Sequence, residues 1–143
     1  MIPMIRTEPS PRNPDLCSIF TDAAWNPSTG NAGLGWIIDD LVSSTPHAAT
    51  ETSVSSPLMA ETLAIRSAIT FVLSIGIDCV SIHSDSKKLI NIINKKEMNL
   101  EIFDALNDIY HVSTAFNVID FNFIPRSANV WTDETAKQVL WAM

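Results

Sequence analysis

The chain has 143 residues, 46% of them hydrophobic and 17% charged, so it is long and apolar enough to bury the core of one domain. This composition excludes an intrinsically disordered protein, and no apolar run approaches the roughly 18 residues of a membrane span. The net charge of −7 argues against a generally basic nucleic-acid-binding surface, but it suits a site where carboxylates hold a cation.

The N-terminal region differs in composition from the rest of the chain. Residues 1–14 contain four prolines and no hydrophobic periodicity, which predicts a flexible tail before one domain over residues 15–143. The tail lacks an apolar core followed by a small-residue cleavage site, so we predict no secretory signal. The two cysteines, Cys17 and Cys79, have no metal-ligand spacing. We therefore expect an intracellular monomer, in the nucleus or the cytoplasm.

The domain begins with three predicted strands, over residues 16–23, 33–39 and about 47–54. The first two flank the turn sequence NPSTG. Connections this short favour an antiparallel meander.

The second half alternates predicted helices and strands. Ser56 and Pro57 have the pattern of an N-cap and a first helical residue, and Gly76 ends that helix. Further helices are predicted over residues 86–94, 100–113 and 129–141, and strands over residues 79–84 and 117–124. The order βββαβααβα predicts an α/β protein with a mixed five-stranded sheet and helices packed on it.

Four acidic residues occupy unusual positions in this pattern. Asp22 lies at the C-terminal end of a buried strand, Glu61 lies on or beside the apolar face of the first helix, and Asp85 ends the fourth strand. Asp133 lies near the start of the last helix. Each has an ordinary alternative role: Asp22 could start a turn, Asp85 could cap a helix, and Glu61 and Asp133 could interact favourably with helix N-termini.

The joint placement of these acids favours a metal site. If the first and fourth strands are parallel neighbours, Asp22 and Asp85 emerge at one edge of the sheet, which the helix carrying Glu61 can also reach. Mg²⁺ prefers oxygen ligands, and two such ions can activate a water and stabilise the leaving oxygen of a phosphodiester. The sequence therefore predicts that Asp22 is a metal ligand.

Four motifs, in order, resemble ribonuclease H: TDAAWNPSTGNAGLGWIID, MAETLAIRSAI, SDSKKLINIIN and IPRSANVWTDETAK. They are most similar to the ribonuclease H-like domains of plants, which are related to those of retrotransposon reverse transcriptases. The resemblance implies a five-stranded sheet of order 3-2-1-4-5 with helices on both faces. It also implies a two-metal Mg²⁺ or Mn²⁺ site that hydrolyses the RNA strand of RNA/DNA hybrids. The catalytic residues and metal ligands would be Asp22, Glu61, Asp85 and Asp133.

Two features bear on substrate binding and activity. The loop FIPRSAN lacks the histidine that many relatives use in catalysis, and it carries Arg126, either a substrate-binding residue or a surface arginine. Lys87 and Lys88, together with Lys95 and Lys96, are predicted to contact substrate phosphates. The acidic charge and the missing histidine favour an alternative, a non-catalytic or weakly active nucleic-acid-binding module derived from a retroelement. A different nuclease on the same fold is a third possibility.

Overall fold

The computed structural model describes residues 16–143, and the predicted tail over residues 1–14 lies outside the described residues. The strands are β1 (Cys17–Trp25), β2 (Ala32–Asp39), β3 (Ser44–Glu51), β4 (Cys79–Ser84) and β5 (Val118–Phe123). The helices are α1 (Pro57–Ser74), α2 (Lys87–Asn94), α3 (Phe103–Ser113) and α4 (Val130–Trp141). Short 3₁₀ turns, Leu100–Ile102 and Arg126–Ala128, precede α3 and α4. The predicted order of elements is confirmed.

The five strands form one mixed sheet in the order β3-β2-β1-β4-β5. Strand β2 pairs antiparallel with both β1 and β3, whereas β4 pairs parallel with both β1 and β5. Helix α1 packs on one face of the sheet with α3 behind it, and α4 packs on the other face over β1, β2 and β3. The predicted fold class, strand order and placement of helices on both faces are confirmed.

Helix α1 begins and ends as the sequence predicts. The Ser56 hydroxyl accepts a hydrogen bond from the Met59 amide at 3.0 Å, and Pro57 is the first helical residue. Gly76 follows the helix with a φ of 89°, a left-handed conformation that costs glycine little.

Helix α1 is also the central core helix. Its 18 residues have a hydropathy of 1.2, so by length and composition alone α1 is one helix that could cross a membrane. The helix is not an uninterrupted apolar run, because Glu61 and Arg66 fall within it. In this fold, however, much of α1 is buried against the sheet and α3. The buried residues are Ala60, Thr62, Leu63, Ala64, Ile65, Ala68, Ile69 and Val72.

Helix α4 lies unusually close to the sheet. A Cβ added at Gly33 would lie 2.1 Å from the backbone oxygen of Ala136, and one at Gly35 would lie 3.0 Å from that of Thr132. Thr132 and Ala136 are the buried residues of α4, and both are small. Because neither glycine of β2 has a side chain, the backbone of α4 can lie directly against this strand.

Strand β3 begins and ends three residues earlier than predicted. The Asp40 carboxylate accepts hydrogen bonds from the amides of Val42 and Ser43, at 3.0 and 2.9 Å, and this closes a tight turn after β2. Pairing with β2 therefore resumes already at Ser44. Beyond the C-terminal end of β3, the Val54 amide donates to the Gly30 carbonyl at 2.8 Å, outside the pairing of β3 with β2.

Candidate metal centre

The site forms where two parallel strands end at different levels. Strand β1 pairs with β4 only as far as Thr21, opposite Ser84, but it continues beside β2 to Trp25. Strand β1 therefore extends two residues beyond its predicted end at residue 23, whereas the neighbouring strand β4 ends opposite Thr21. Beyond Thr21, β1 has no partner residue in β4, and Asp85 directly follows the last paired residue of β4.

Three carboxylates converge at this edge of the sheet. One oxygen each from Asp22, Glu61 and Asp85 lies within 4.8 Å of the others. Asp22 is buried, with 4% of its surface exposed, and the other two residues are half-buried. The structure thus brings together three of the four acids that the sequence singled out.

The ordinary alternatives for these three acids are wrong. The N-cap of α2 is Ser86, whose hydroxyl accepts from the Leu89 amide at 3.4 Å, so Asp85 does not cap this helix. Glu61 lies in the second turn of α1, beyond the first-turn positions where an acid interacts most favourably with the helix dipole. Asp22 lies within a strand, opposite Gly35, rather than at the start of a turn.

The proximity of these carboxylates changes their protonation. Burial raises the pKa of Asp22 to about 6, although hydrogen bonds with Glu61 and the Ala23 amide act in the opposite direction. Burial and the neighbouring charges of Asp22 and Asp85 raise the pKa of Glu61 well above its usual value. Among the described residues, no donor reaches the buried Oε1 of Glu61. Such a cluster retains protons unless a cation replaces them, and its oxygen ligands suit Mg²⁺ or Mn²⁺.

Asp133 lies at the margin of this cluster. It occupies the first turn of α4, and its charge contributes to the raised pKa of Asp22. Its carboxylate forms an ion pair with Lys137, one turn later, at 2.8 Å. This ion pair raises the pKa of Lys137. Asp133 therefore lies near the other three acids, but its carboxylate is paired with Lys137.

The predicted substrate-binding residues lie around the same edge. Arg126 is exposed in the 3₁₀ turn before α4, and its positive charge partly offsets the rise in the pKa of Glu61 that burial causes. Lys87 and Lys88 are exposed in the first turn of α2, directly after Asp85 and Ser86. The other two lysines of the predicted patch, Lys95 and Lys96, follow the far end of α2.

Sequence reasoning missed one residue of this centre, Asn129. This side chain is 2% exposed, and its Nδ2 donates to the Thr21 carbonyl at 2.9 Å and to Asp85 Oδ2 at 3.3 Å. An asparagine directly before a helix normally indicates an N-cap, and that pattern concealed a contact between residues far apart in sequence.

Comparisons with known proteins agree with this fold. The sequence matches the reverse transcriptase-like family over residues 20–139. No curated protein sequence gives a significant match. Two ribonucleases H1 have similar structures. LC11-RNase H1, isolated from compost, has a TM-score of 0.78 and 21% identity over 88% of this chain and 96% of that chain. The enzyme from Halobacterium salinarum has a TM-score of 0.74 and 18% identity over 89% of this chain and 98% of that chain.

A third similar structure is a foamy viral protease-reverse transcriptase in complex with an RNA/DNA hybrid. It has a TM-score of 0.72 and 16% identity, over 99% of this chain and 23% of the viral chain. LC11-RNase H1 has likewise been solved in complex with an RNA/DNA hybrid. At these identities, the structural matches establish the fold.

Proposed function

Because the chain belongs to the reverse transcriptase-like family and has the ribonuclease H-like fold, we propose that it is a metal-dependent endonuclease that hydrolyses the RNA strand of RNA/DNA hybrids. The observation that carries this proposal is the convergence of Asp22, Glu61 and Asp85 at one edge of the sheet. Hybrids bound to LC11-RNase H1 and to the foamy viral protein support the substrate class.

The residues of the cluster fit a divalent cation, because they supply desolvated carboxylate oxygens and one of these oxygens has no protein donor among the described residues. Asp22, Glu61 and Asp85 would hold Mg²⁺ or Mn²⁺, and Asp133 would contribute to a second ion after leaving Lys137. When bound, such ions supply an activated water and stabilise negative charge on a phosphodiester.

The remaining roles belong to side chains around the cluster. Lys87 and Lys88 would hold the phosphates of one strand, because their exposed ammonium groups begin the helix that follows Asp85. Arg126 would offset the charge of a phosphate beside Glu61, as its guanidinium already does for that carboxylate. A hybrid would be recognised by its shape and its 2′-hydroxyl groups across the wide minor groove.

A cleavage assay tests this proposal. The protein would be incubated with a labelled RNA/DNA hybrid, double-stranded RNA and single-stranded DNA, each with Mg²⁺, Mn²⁺ or a chelator. We expect metal-dependent cleavage of the RNA strand in the hybrid, and its loss in Asp22→Asn. Asp120→Asn is the matched control, because this exposed acid of β5 binds Ser81 rather than the cluster. Cleavage that persists in Asp22→Asn would contradict the assignment.

One observation favours the second candidate, a non-catalytic or weakly active nucleic-acid-binding module of retroelement origin. None of the histidines lies in the turn before α4. His47 packs against the rings of Trp36 and Phe71, and His83 stacks on Phe20 with the ring centroids 4.9 Å apart. Hybrid binding without cleavage in either metal would support this candidate. The intracellular location and the monomeric state stay predictions.

A further inference from the structure

Asn129 connects three parts of the protein that carry acids of the metal centre, two through its side chain and one through its backbone. Its Nδ2 donates to the carbonyl of Thr21, the residue before Asp22 in β1, and to the carboxylate of Asp85, which follows β4. The backbone carbonyl of Asn129, rather than its side chain, accepts from the amide of Asp133 in α4 at 3.0 Å. One buried residue therefore ties β1, the end of β4 and the start of α4 together.

The orientation of the Asn129 amide follows from its neighbours. A backbone carbonyl and a carboxylate only accept hydrogen bonds, so the NH₂ group must face Thr21 and Asp85. The opposite orientation would place the amide oxygen against two acceptors. In the observed orientation, Oδ1 is buried and meets no donor from the described part of the chain, which is unfavourable. The contacts with Thr21 and Asp85 therefore form even though they leave the buried Oδ1 without a hydrogen bond.

The ordinary role for this residue is excluded by its geometry. Asparagine is among the most favoured N-cap residues, and Asn129 stands directly before α4. Its side chain nevertheless makes no capping hydrogen bond, and its backbone has a φ of −124° and a ψ of 22°. The amide binds groups on other elements instead of the helix that it precedes.

We propose that Asn129 is a positioning residue of the metal centre. By binding Asp85 and the backbone of β1 with one amide group, it sets the separation of the Asp85 and Asp22 carboxylates before a cation arrives. Without this donor the Asp85 carboxylate can rotate, and the cation must order it on binding. Groups that orient ligands in this way typically contribute about 10–100-fold to metal affinity or activity. This inference rests on the proposed metal-dependent function.

The test compares Asn129→Leu with Asn122→Leu in the full chain. Leucine has a similar size but no donor, and the amide of Asn122 binds Ser81 and Asp120 within β4 and β5. Isothermal titration with Mn²⁺ gives the dissociation constant, and hybrid cleavage gives kcat and KM. We expect Asn129→Leu to raise the Mn²⁺ dissociation constant about 10–100-fold and to lower kcat with little change in KM. Asn122→Leu should leave the Mn²⁺ dissociation constant unchanged.

A second variant, Asn129→Ser, covers the case in which leucine prevents folding. Serine is an equally favoured N-cap, so a capping role predicts no change in metal affinity, whereas a positioning role predicts a loss. A Mn²⁺ dissociation constant within about twofold of wild type, in either folded variant, would overturn the inference. If the wild type binds Mn²⁺ but cleaves no hybrid, the proposed nuclease function fails, and the affinity comparison still decides the role of Asn129.

Discussion

The raised pKa of Asp22 makes the stability of the metal-free protein depend on pH. Its pKa is about 6 in the folded protein, whereas an aspartate in an unfolded chain titrates near pH 3.9. The folded state therefore binds the proton more tightly. This stabilisation is fully present below about pH 4 and is lost as the pH rises through 6, a difference of about 2–3 kcal/mol.

We expect the metal-free protein to lose free energy of unfolding between pH 4 and pH 7 through this group. Urea denaturation in the presence of a chelator measures the effect at each pH. The Asp22→Asn variant is the control, because it cannot titrate at this position and should show a shallower loss. Equal pH dependence in the two proteins would show that the Asp22 carboxyl has an ordinary pKa.

Asp85 permits a second test at the scale of one side chain. Asp85→Asn removes a charge from the cluster at nearly constant shape, and its amide oxygen can still accept from Asn129. We expect the metal-free variant to be more stable than wild type by about 1 kcal/mol. Mg²⁺ should stabilise the wild type, because it binds only the folded site, and the variant should lose most of that gain.

Thermal melts with and without Mg²⁺ measure both effects of Asp85→Asn. Ser86→Ala is the matched control, because Ser86 is the N-cap of α2. Its loss should cost roughly 1 kcal/mol while the response to Mg²⁺ persists. A variant with asparagine at position 85 that keeps the full Mg²⁺ response would exclude Asp85 as a ligand.

At the scale of helices and strands, the positions of the acids follow from rules that can be applied to a sequence. A crossover through α1 makes β1 and β4 parallel neighbours, and this places Asp22 beside Asp85. The extent of each strand does not follow in the same way. The length of β1 beyond Asp22 and the early start of β3 depend on pairing partners and on side-chain contacts in turns, which the hydrophobic pattern does not encode.

Contacts between distant elements were equally inaccessible to sequence reasoning. Gly33 and Gly35 have the pattern of ordinary strand residues, and Asn129 has that of an N-cap, because a single sequence contains no information about which helix will lie on which strand. Two features arise only when the last helix packs on the first two strands. These are the close approach of α4 to β2 and the hydrogen bonds of Asn129.

Because α4 lies so close to β2, a single added methyl group should strongly reduce the stability of the protein. In Gly33→Ala the new Cβ would lie 2.1 Å from the backbone oxygen of Ala136, so α4 must move away from the sheet. We expect a loss of at least about 3 kcal/mol in the free energy of unfolding, and a smaller Mg²⁺-dependent stabilisation because Asp133 moves with the helix.

Gly76→Ala is the control for Gly33→Ala, measured by the same denaturation experiment. Nothing lies within 4 Å of an added Cβ at Gly76, so only its positive φ of 89° opposes the change. That strain costs about 1–2 kcal/mol. If Gly33→Ala lost no more free energy of unfolding than Gly76→Ala, α4 would not lie as close to β2 as described.

For the whole molecule, the distribution of charge determines how nucleic acid can bind. A net charge of −7 repels a phosphate backbone at long range, so attraction must come from local groups such as Lys87 and Lys88. We expect hybrid binding that weakens steeply with added salt. Lys87→Gln/Lys88→Gln should reduce the slope of log affinity against log salt by about 2, or roughly one unit for each lysine.

Fluorescence anisotropy with a labelled hybrid, in the Asp85→Asn background to prevent cleavage, measures this slope. Arg66→Gln is the control, since Arg66 on α1 is paired with Asp108 of α3 at 3.0 Å, away from α2. If the double lysine variant and Arg66→Gln give the same slope as the parent, the phosphates are bound elsewhere on the molecule.

The placement of α4 also determines when this centre can form during protein synthesis. Asp22 lies in the first strand and Asp133 in the last helix, so the ribosome releases all five strands before α4. Asp22, Glu61 and Asp85 are then available while Asn129 and Asp133 are still within or near the exit tunnel. A nascent chain at that stage has neither the amide that orients Asp85 nor the fourth acid. The metal centre of the proposed nuclease would therefore be completed only after translation has passed the last helix.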